Sequence, residues 1–303
     1  MIVLVTGGTG VLGVPTIRRL TEAGHQVRGL AHRQRAADEL RAIGADSVPG
    51  DLISGAGLQD AIAGVDAVLH LATHIPSALR MGRIKAWAAT DTIRRDGTRN
   101  LVDACLAAGV TTFVYPSIVL VYADAGDQWI DAESAVLDPP PHTRSSLDAE
   151  REVQRIATAG GRGLSLRLGL LYSPHDEVTA MQLSMARRGI GSALGPDEAY
   201  WPALWVEDAA TAFVAALDAP AGVYDLVDDR PLTRAELHQA MAAAVGRRLW
   251  RLPRLLQPLL TGQLTASLSR SLRVSNRRFR EATGWRPSVP DAAAGWQRIV
   301  RPG

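Results

Sequence analysis

Thr6-Gly7-Gly8-Thr9-Gly10-Val11-Leu12-Gly13 sets three glycines at the spacing a diphosphate requires. Between a strand and a helix, Gly7 permits the tight turn, Gly10 lets backbone approach a pyrophosphate, and Gly13 lets the helix pack on the strand. The helix start adds unpaired N–H groups and a partial positive charge. The chemistry this implies is dinucleotide binding, with Thr9, Val11 and Leu12 completing the cradle. Leu30-Ala31-His32-Arg33-Gln34-Arg35 ends a second apolar run with no acid before Asp38. An acid there would hold a ribose 2′-hydroxyl, whereas a guanidinium suits a 2′-phosphate. His32 and Arg33 therefore predict NADP in preference to NAD. Gly50-Asp51-Leu52 closes a third run, with Asp51 placed to accept from the adenine amino group.

The elements that must position these residues alternate. Apolar, β-branched runs occupy Ile2–Thr6, Gln26–Ala31, Asp66–Ala72, Thr112–Ser117 and Ser165–Leu171, with amphipathic helical patterns such as Leu12-Ile17-Leu20 between them. Near-continuous apolar strands alternating with helices predict an α/β fold, a Rossmann-type doubly wound parallel sheet covered on both faces. After Tyr172 the rhythm changes to helical segments, Gly/Pro breaks and five of the seven tryptophans, Trp201, Trp205, Trp250, Trp285 and Trp296. We expect residues 1–171 to form the cofactor domain, with 205–229 returning to its sheet through Gly222–Val227, and 172–303 to form mainly a smaller substrate-binding lobe. Thr233-Arg234-Ala235-Glu236 reads as a capping box opening a further helix, and Asp208 as a cap of the helix after Val206. The tryptophans are assigned to core packing rather than to stacking on a flat substrate.

The 303 residues are 47% apolar and 21% charged, ordinary for a globular protein, and the net charge of +2 calls for neither nucleic acid nor an anionic membrane. Lys85 is the only lysine, so 32 of the 33 basic residues are arginine. Cys105 stands alone, which argues against a disulfide and a cysteine zinc site; no metal is expected. The start, MIVLVTGG, lacks a basic n-region or cleavage motif. The stretch from Leu252 to Leu264 is too broken by Pro253, Arg254 and Pro258 to span a bilayer. A cytoplasmic setting is the expectation, with a small-molecule substrate and room for a homodimer.

TGGTGVLG, GDL, VDAVLHLAT, GTRNLVDACLAAGV, FVYPS, RLGLLYSP, VEDAATA and GVYDLVDD follow in that order. Together they resemble the extended short-chain dehydrogenase/reductases, the NAD(P)-dependent epimerase/dehydratase group, over nearly the whole chain. The resemblance implies a Rossmann domain, a C-terminal lobe and a substrate in the cleft between them, often a nucleotide sugar or another small hydroxy or keto compound. It implies cofactor contacts at Gly7, Gly10, Gly13 and Asp51, and a wall at Leu71-Ala72-Thr73.

The proton-transfer half of the family pattern is missing. Counting back from Glu150, the family's Tyr-x-x-x-Lys falls on His142 and Ser146, and no tyrosine of the chain has a lysine four residues on. The serine position falls on Ile118, with Ser117 one step away, and Arg94 stands where the helix carries an asparagine. The family's lysine holds the nicotinamide ribose and lowers the tyrosine pKa; bringing a phenol from about 10 to about 7 takes roughly 4 kcal/mol. Tyr122 without it is a poor base. An imidazole titrates near 6.5 unaided, so His142 is the expected acid/base group, ahead of Tyr122 and Ser117; the alternative for His142 is a surface histidine after a proline-rich loop. Two classes of function stay open: an NADP-dependent oxidoreductase or epimerase-like enzyme with a non-standard proton donor, and a non-redox lyase, isomerase, cyclase or cofactor-sensing protein on the same fold.

Overall fold

The computed structural model describes residues 1–301 except 78, 79, 193, 252, 254–256 and 258–261. The Leu252–Leu264 stretch therefore lies largely outside the described residues. Seven parallel strands form the central sheet: β1 (Ile2–Thr6), β2 (Gln26–Ala31), β3 (Asp46–Pro49), β4 (Ala67–His70), β5 (Thr112–Ile118), β6 (Arg162–Leu168) and β7 (Gly222–Leu226). Their spatial order is β7-β6-β5-β4-β1-β2-β3. The order reverses beside β1, which opens a crevice at the carboxyl ends of the strands.

Helices cover both faces because the strands are apolar on both. On one face α1 (Gly13–Glu22), α2 (Gln34–Ala42) and α8 (Val206–Ala215) bury Ile17, Leu20, Leu40 and Phe213 against Val3, Val5, Val114 and Leu166. On the other, α3 (Leu58–Ile62), α5 (Thr98–Ala108) and α6 (Arg144–Thr158) bury Leu58, Leu101, Val153 and Ile156 against Leu4, Val68, Phe113 and Tyr115. Between α4 (Ala88–Thr92) and α5 the chain makes a π-helical turn, Ile93–Gly97, which carries Arg94.

The C-terminal part is built on α7 (Glu177–Arg187), α9 (Arg234–Val245) and α10 (Ala292–Val300) around Tyr172, Trp205, Leu237, Met241 and Trp296. Leu170–Tyr172 leaves the end of β6 and pairs in parallel with Ala203–Trp205. Thr233 and Glu236 form the expected capping box of α9. Asp208 corrects its sequence reading: it sits inside α8, buried, and accepts from the backbone N–H groups of Ser288 and Val289 at 2.8 and 2.9 Å. It ties the C-terminal segment to the Rossmann face instead of capping its own helix. Trp205, Trp285 and Trp296 are core residues, while Trp250 is exposed. Among the described residues no helix is long and apolar enough to cross a membrane.

Candidate active site

The glycine loop runs from β1 into α1. Gly7 has φ 68°, and a Cβ there would lie 2.6 Å from Ala72 Cα, so the turn presses directly on the chain leaving β4. A Cβ on Gly13 would lie 2.2 Å from the Gly7 carbonyl oxygen. Gly10 differs: its Cβ would meet only that oxygen, at 3.3 Å, and the rest of the space before it is open. Thr9, Gly10 and Val11 are exposed, and the N–H groups of Val11 and Leu12 have no partner among the described residues. The Leu12 side chain packs on the core, so its contribution to the cradle is backbone. A diphosphate fits this geometry.

His70, which sequence reasoning passed over, braces the loop from below. Its Nδ1 is 2.7 Å from Thr6 Oγ1 and its Nε2 is 3.1 Å from Thr98 Oγ1, while Thr6 Oγ1 accepts from Ala72 N at 3.2 Å. Burial pushes the imidazole pKa down to about 3, so it serves as a neutral bridge. Of the expected wall, Leu71 sends its side chain into the core, leaving Ala72 and Thr73 at the crevice, Thr73 exposed.

At the end of β2, His32 and Arg33 are both exposed. Arg33 makes no side-chain hydrogen bond or ion pair among the described residues. The acids nearby in sequence are engaged: Asp38 accepts from Gln34 and Arg41, and Glu39 from Arg35. Asp51 Oδ1 accepts from Ile53 N (2.7 Å) and Ser54 N (3.1 Å), and these bonds hold its pKa below the usual carboxylate value. The turn uses one oxygen and leaves Oδ2 for a ligand. The Leu52 carbonyl accepts from Asn100 Nδ2, which anchors this corner to α5.

The three expected catalytic groups are not brought together around an open cleft. Ser117 on β5, Arg167 on β6 and Asp225 on β7 stand in register across three strands. Ser117 Oγ donates to Glu150 of α6, Arg167 grips Glu150 through two bonds of 2.9 and 2.7 Å and donates to Tyr122 Oη at 3.1 Å, and Tyr122 Oη donates to Asp225 at 2.6 Å. Tyr122 is fully buried, and burial followed by the Asp225 charge drives its pKa far above 10. Burial lifts Asp225 to about 7. Tyr122 and Ser117 are thus members of an internal polar chain, which corrects their assignment as proton donors. A charge in an apolar parallel strand must be paired, so Arg167 and Asp225 were the signal for this network.

His142 is corrected in a different way. It is neither a surface residue nor an imidazole that titrates near 6.5: it is 3% exposed, its ring centroid lies 5.1 Å from that of Trp87, and burial together with the Arg94 charge lowers its pKa to about 4. At neutral pH it has no proton to spare as an acid and little basicity. Arg94 itself is buried and donates to the His142 carbonyl at 3.3 Å.

A seven-stranded Rossmann sheet, a diphosphate-ready loop and a C-terminal lobe define the class: a dinucleotide-dependent enzyme of the extended short-chain dehydrogenase/reductase type. The chain belongs to the NAD dependent epimerase/dehydratase family, whose model matches residues 3–226. It is 31% identical to a 3-diazoavenalumate denitrifying reductase from a Streptomyces species, across 98% of this chain and 100% of that protein. It is 30% identical to a 2-alkyl-3-oxoalkanoate reductase of Stenotrophomonas maltophilia, across 81% of this chain and 76% of that one. The structure superposes on human epimerase family protein SDR39U1 (isoform 2), solved with NADPH, with a TM-score of 0.83 and 25% identity over 99% of both chains.

Proposed function

We propose that the protein is an NADPH-dependent reductase whose acceptor carbon takes a hydride without needing a proton from the chain, the acceptor being an aryl diazonium compound that loses dinitrogen. One observation carries the reading: the glycine loop leaves open space before Gly10, while Ser117 and Tyr122 spend their protons on Glu150 and Asp225 and His142 is buried with a lowered pKa. The bound cofactor supplies the hydride. Reducing a carbonyl makes an alkoxide that needs a general acid. Replacing dinitrogen by hydride needs none, since the C–H bond forms as the C–N bond breaks and the leaving dinitrogen keeps that electron pair. The full-length likeness to a denitrifying reductase supports this acceptor class.

The chain's own residues bind and orient. Val11 and Leu12 N–H groups receive the pyrophosphate, Arg33 and the start of α2 receive the 2′-phosphate, and Asp51 Oδ2 accepts from the adenine. The Trp87–His142 ring pair keeps water from the reacting end. Residues 1–171 with 205–229 form the cofactor part of this arrangement, and 172–303 close over the substrate.

The test is NADPH consumption with an aryl diazonium carboxylic acid, followed by dinitrogen release and by mass spectrometry after transfer from 4-deuterated NADPH. We expect one dinitrogen per NADPH and deuterium on the ring carbon. Consumption with 2-alkyl-3-oxoalkanoates or sugar nucleotides, and none with the diazonium acid, would sink the proposal.

A further inference from the structure

Around Arg94 the chain gathers buried polar groups with no carboxylate paired to the guanidinium among the described residues. Arg94 is 7% exposed, has no carboxylate partner among the described residues, and makes one hydrogen bond, to the His142 carbonyl at 3.3 Å. The Tyr115 hydroxyl lies against both the Arg94 guanidinium and the Ser146 hydroxyl, within their electrostatic reach but outside hydrogen-bonding geometry. Among the described residues, Tyr115 Oη, Ser146 Oγ and His142 Nδ1 are all buried and none has a hydrogen bond of good geometry. Buried polar groups in folded proteins are nearly always paired, so three unpaired atoms beside one unpaired cation are a coherent exception. The nearby carboxylates are committed elsewhere: Glu150 to Arg167 and Ser117, Asp91 to Ser145, and Asp138 to Arg270.

We infer that this cluster is the seat of a substrate carboxylate, held by Arg94 with Tyr115, Ser146 and His142 as neutral donors. The inference rests on placing the substrate of the proposed reductase beside His142. A guanidinium fork receives a carboxylate through two parallel bonds. A carboxylate would supply the ion pair that Arg94 lacks among the described residues. The remaining carboxylate lone pairs match the two hydroxyls and a protonated Nδ1. The Trp87 ring, packed 5.1 Å from that of His142, would lie against a flat, conjugated body joined to the carboxylate.

The test is calorimetric titration of the NADP-saturated protein with trans-cinnamate and with its neutral amide, trans-cinnamamide. Wild type should bind the acid at least about 10-fold more tightly than the amide, Arg94→Gln should lose that preference, and Arg94→Lys should keep part of it. Tyr115→Phe and Ser146→Ala guard against a folding failure of the arginine variants. Each removes a hydroxyl that has no hydrogen bond of good geometry among the described residues, so each should be as stable as wild type yet weaken cinnamate about 3–10-fold with the amide unchanged. Equal binding of acid and amide by wild type, or an undiminished preference in Arg94→Gln, overturns the inference. So does cinnamate binding that ignores both hydroxyls. A preference for the acid without any dinitrogen release would refute the reductase reading and leave this site standing. Dinitrogen release equally fast from aryl diazonium compounds with and without a carboxylate would do the reverse.

Discussion

A Tyr122→Phe substitution removes one hydroxyl from a fully buried chain of charges, and the geometry sets what that costs. The hydroxyl donates to Asp225 at 2.6 Å and accepts from Arg167 at 3.1 Å, so the substitution removes both bonds. Hydrogen bonds to charged groups contribute about 1.5–3 kcal/mol each. With Asp225 ionised, the loss should therefore be about 3–5 kcal/mol. The folded pKa of Asp225, raised by burial to about 7, makes this cost depend on pH. An acid whose folded pKa lies above its unfolded value binds more protons folded than unfolded, so stability falls as pH rises from about 4 to that folded pKa. Without the tyrosine donor the folded pKa rises further, and the falling window extends above 7. Near pH 5.5 the carboxyl is protonated in both proteins, and the variant should be only about 2 kcal/mol less stable. Urea unfolding followed by tryptophan fluorescence at about pH 5.5 and 8.5 measures the difference. NADPH affinity and turnover should stay within about 3-fold of wild type well below the unfolding transition. A cost independent of pH, or a turnover loss of 100-fold or more (the scale of a removed general acid) with stability intact, would refute the structural assignment of Tyr122.

Arg33→Ala should weaken NADPH about 10–100-fold and leave NADH unchanged, since one charge-assisted contact is lost; calorimetry giving equal affinities of wild type for the two cofactors would contradict this. Gly13→Ala places a Cβ 2.2 Å from the Gly7 oxygen and should cost more than about 3 kcal/mol or abolish folding. Gly10→Ala should fold normally and lose about 10-fold or more in NADPH affinity, because its methyl group enters the space kept for the diphosphate; circular dichroism and a cofactor titration separate the pair. The folded pKa values of His142, about 4, and His70, about 3, lie below the unfolded value near 6.5. The stability linked to them is complete above about pH 6.5 and is lost as pH falls towards 4 and 3, by up to about 1.4 kcal/mol per pH unit for each. His142→Phe should flatten part of that acid limb, and wild-type turnover should show no imidazole inflection near 6.5.

What was legible in the sequence followed from backbone demands. The strands Ile2–Thr6 and Gln26–Ala31 match observed β1 and β2, and the capping box at Thr233 is formed, because apolar runs and cap chemistry act locally. The run Ser165–Leu171 was less legible. Arg162–Leu168 forms β6, and the chain then breaks at Gly169 and starts a second pairing at Leu170, a switch set by where Ala203–Trp205 lies. The glycine loop was legible for the same local reason, and so was the empty Tyr-x-x-x-Lys position. The fate of the polar residues was not. His142 looked like a free imidazole because the sequence cannot reveal that Trp87 and Arg94, remote along the chain, enclose it. Tyr122 and Ser117 looked available because their partners, Asp225 and Glu150, meet them only through cross-strand register and helix packing.

The placement of Arg94 also constrains which side chains position 146 can hold. Position 146 and Arg94 both face the hydroxyl of Tyr115, inside protein, where like charges repel far more strongly than in water. A lysine arriving at position 146 meets a cation already in residence. The guanidinium and the ammonium would face each other across one hydroxyl, so a Ser146→Lys variant should be less stable than wild type, and combining it with Arg94→Gln should recover part of that loss.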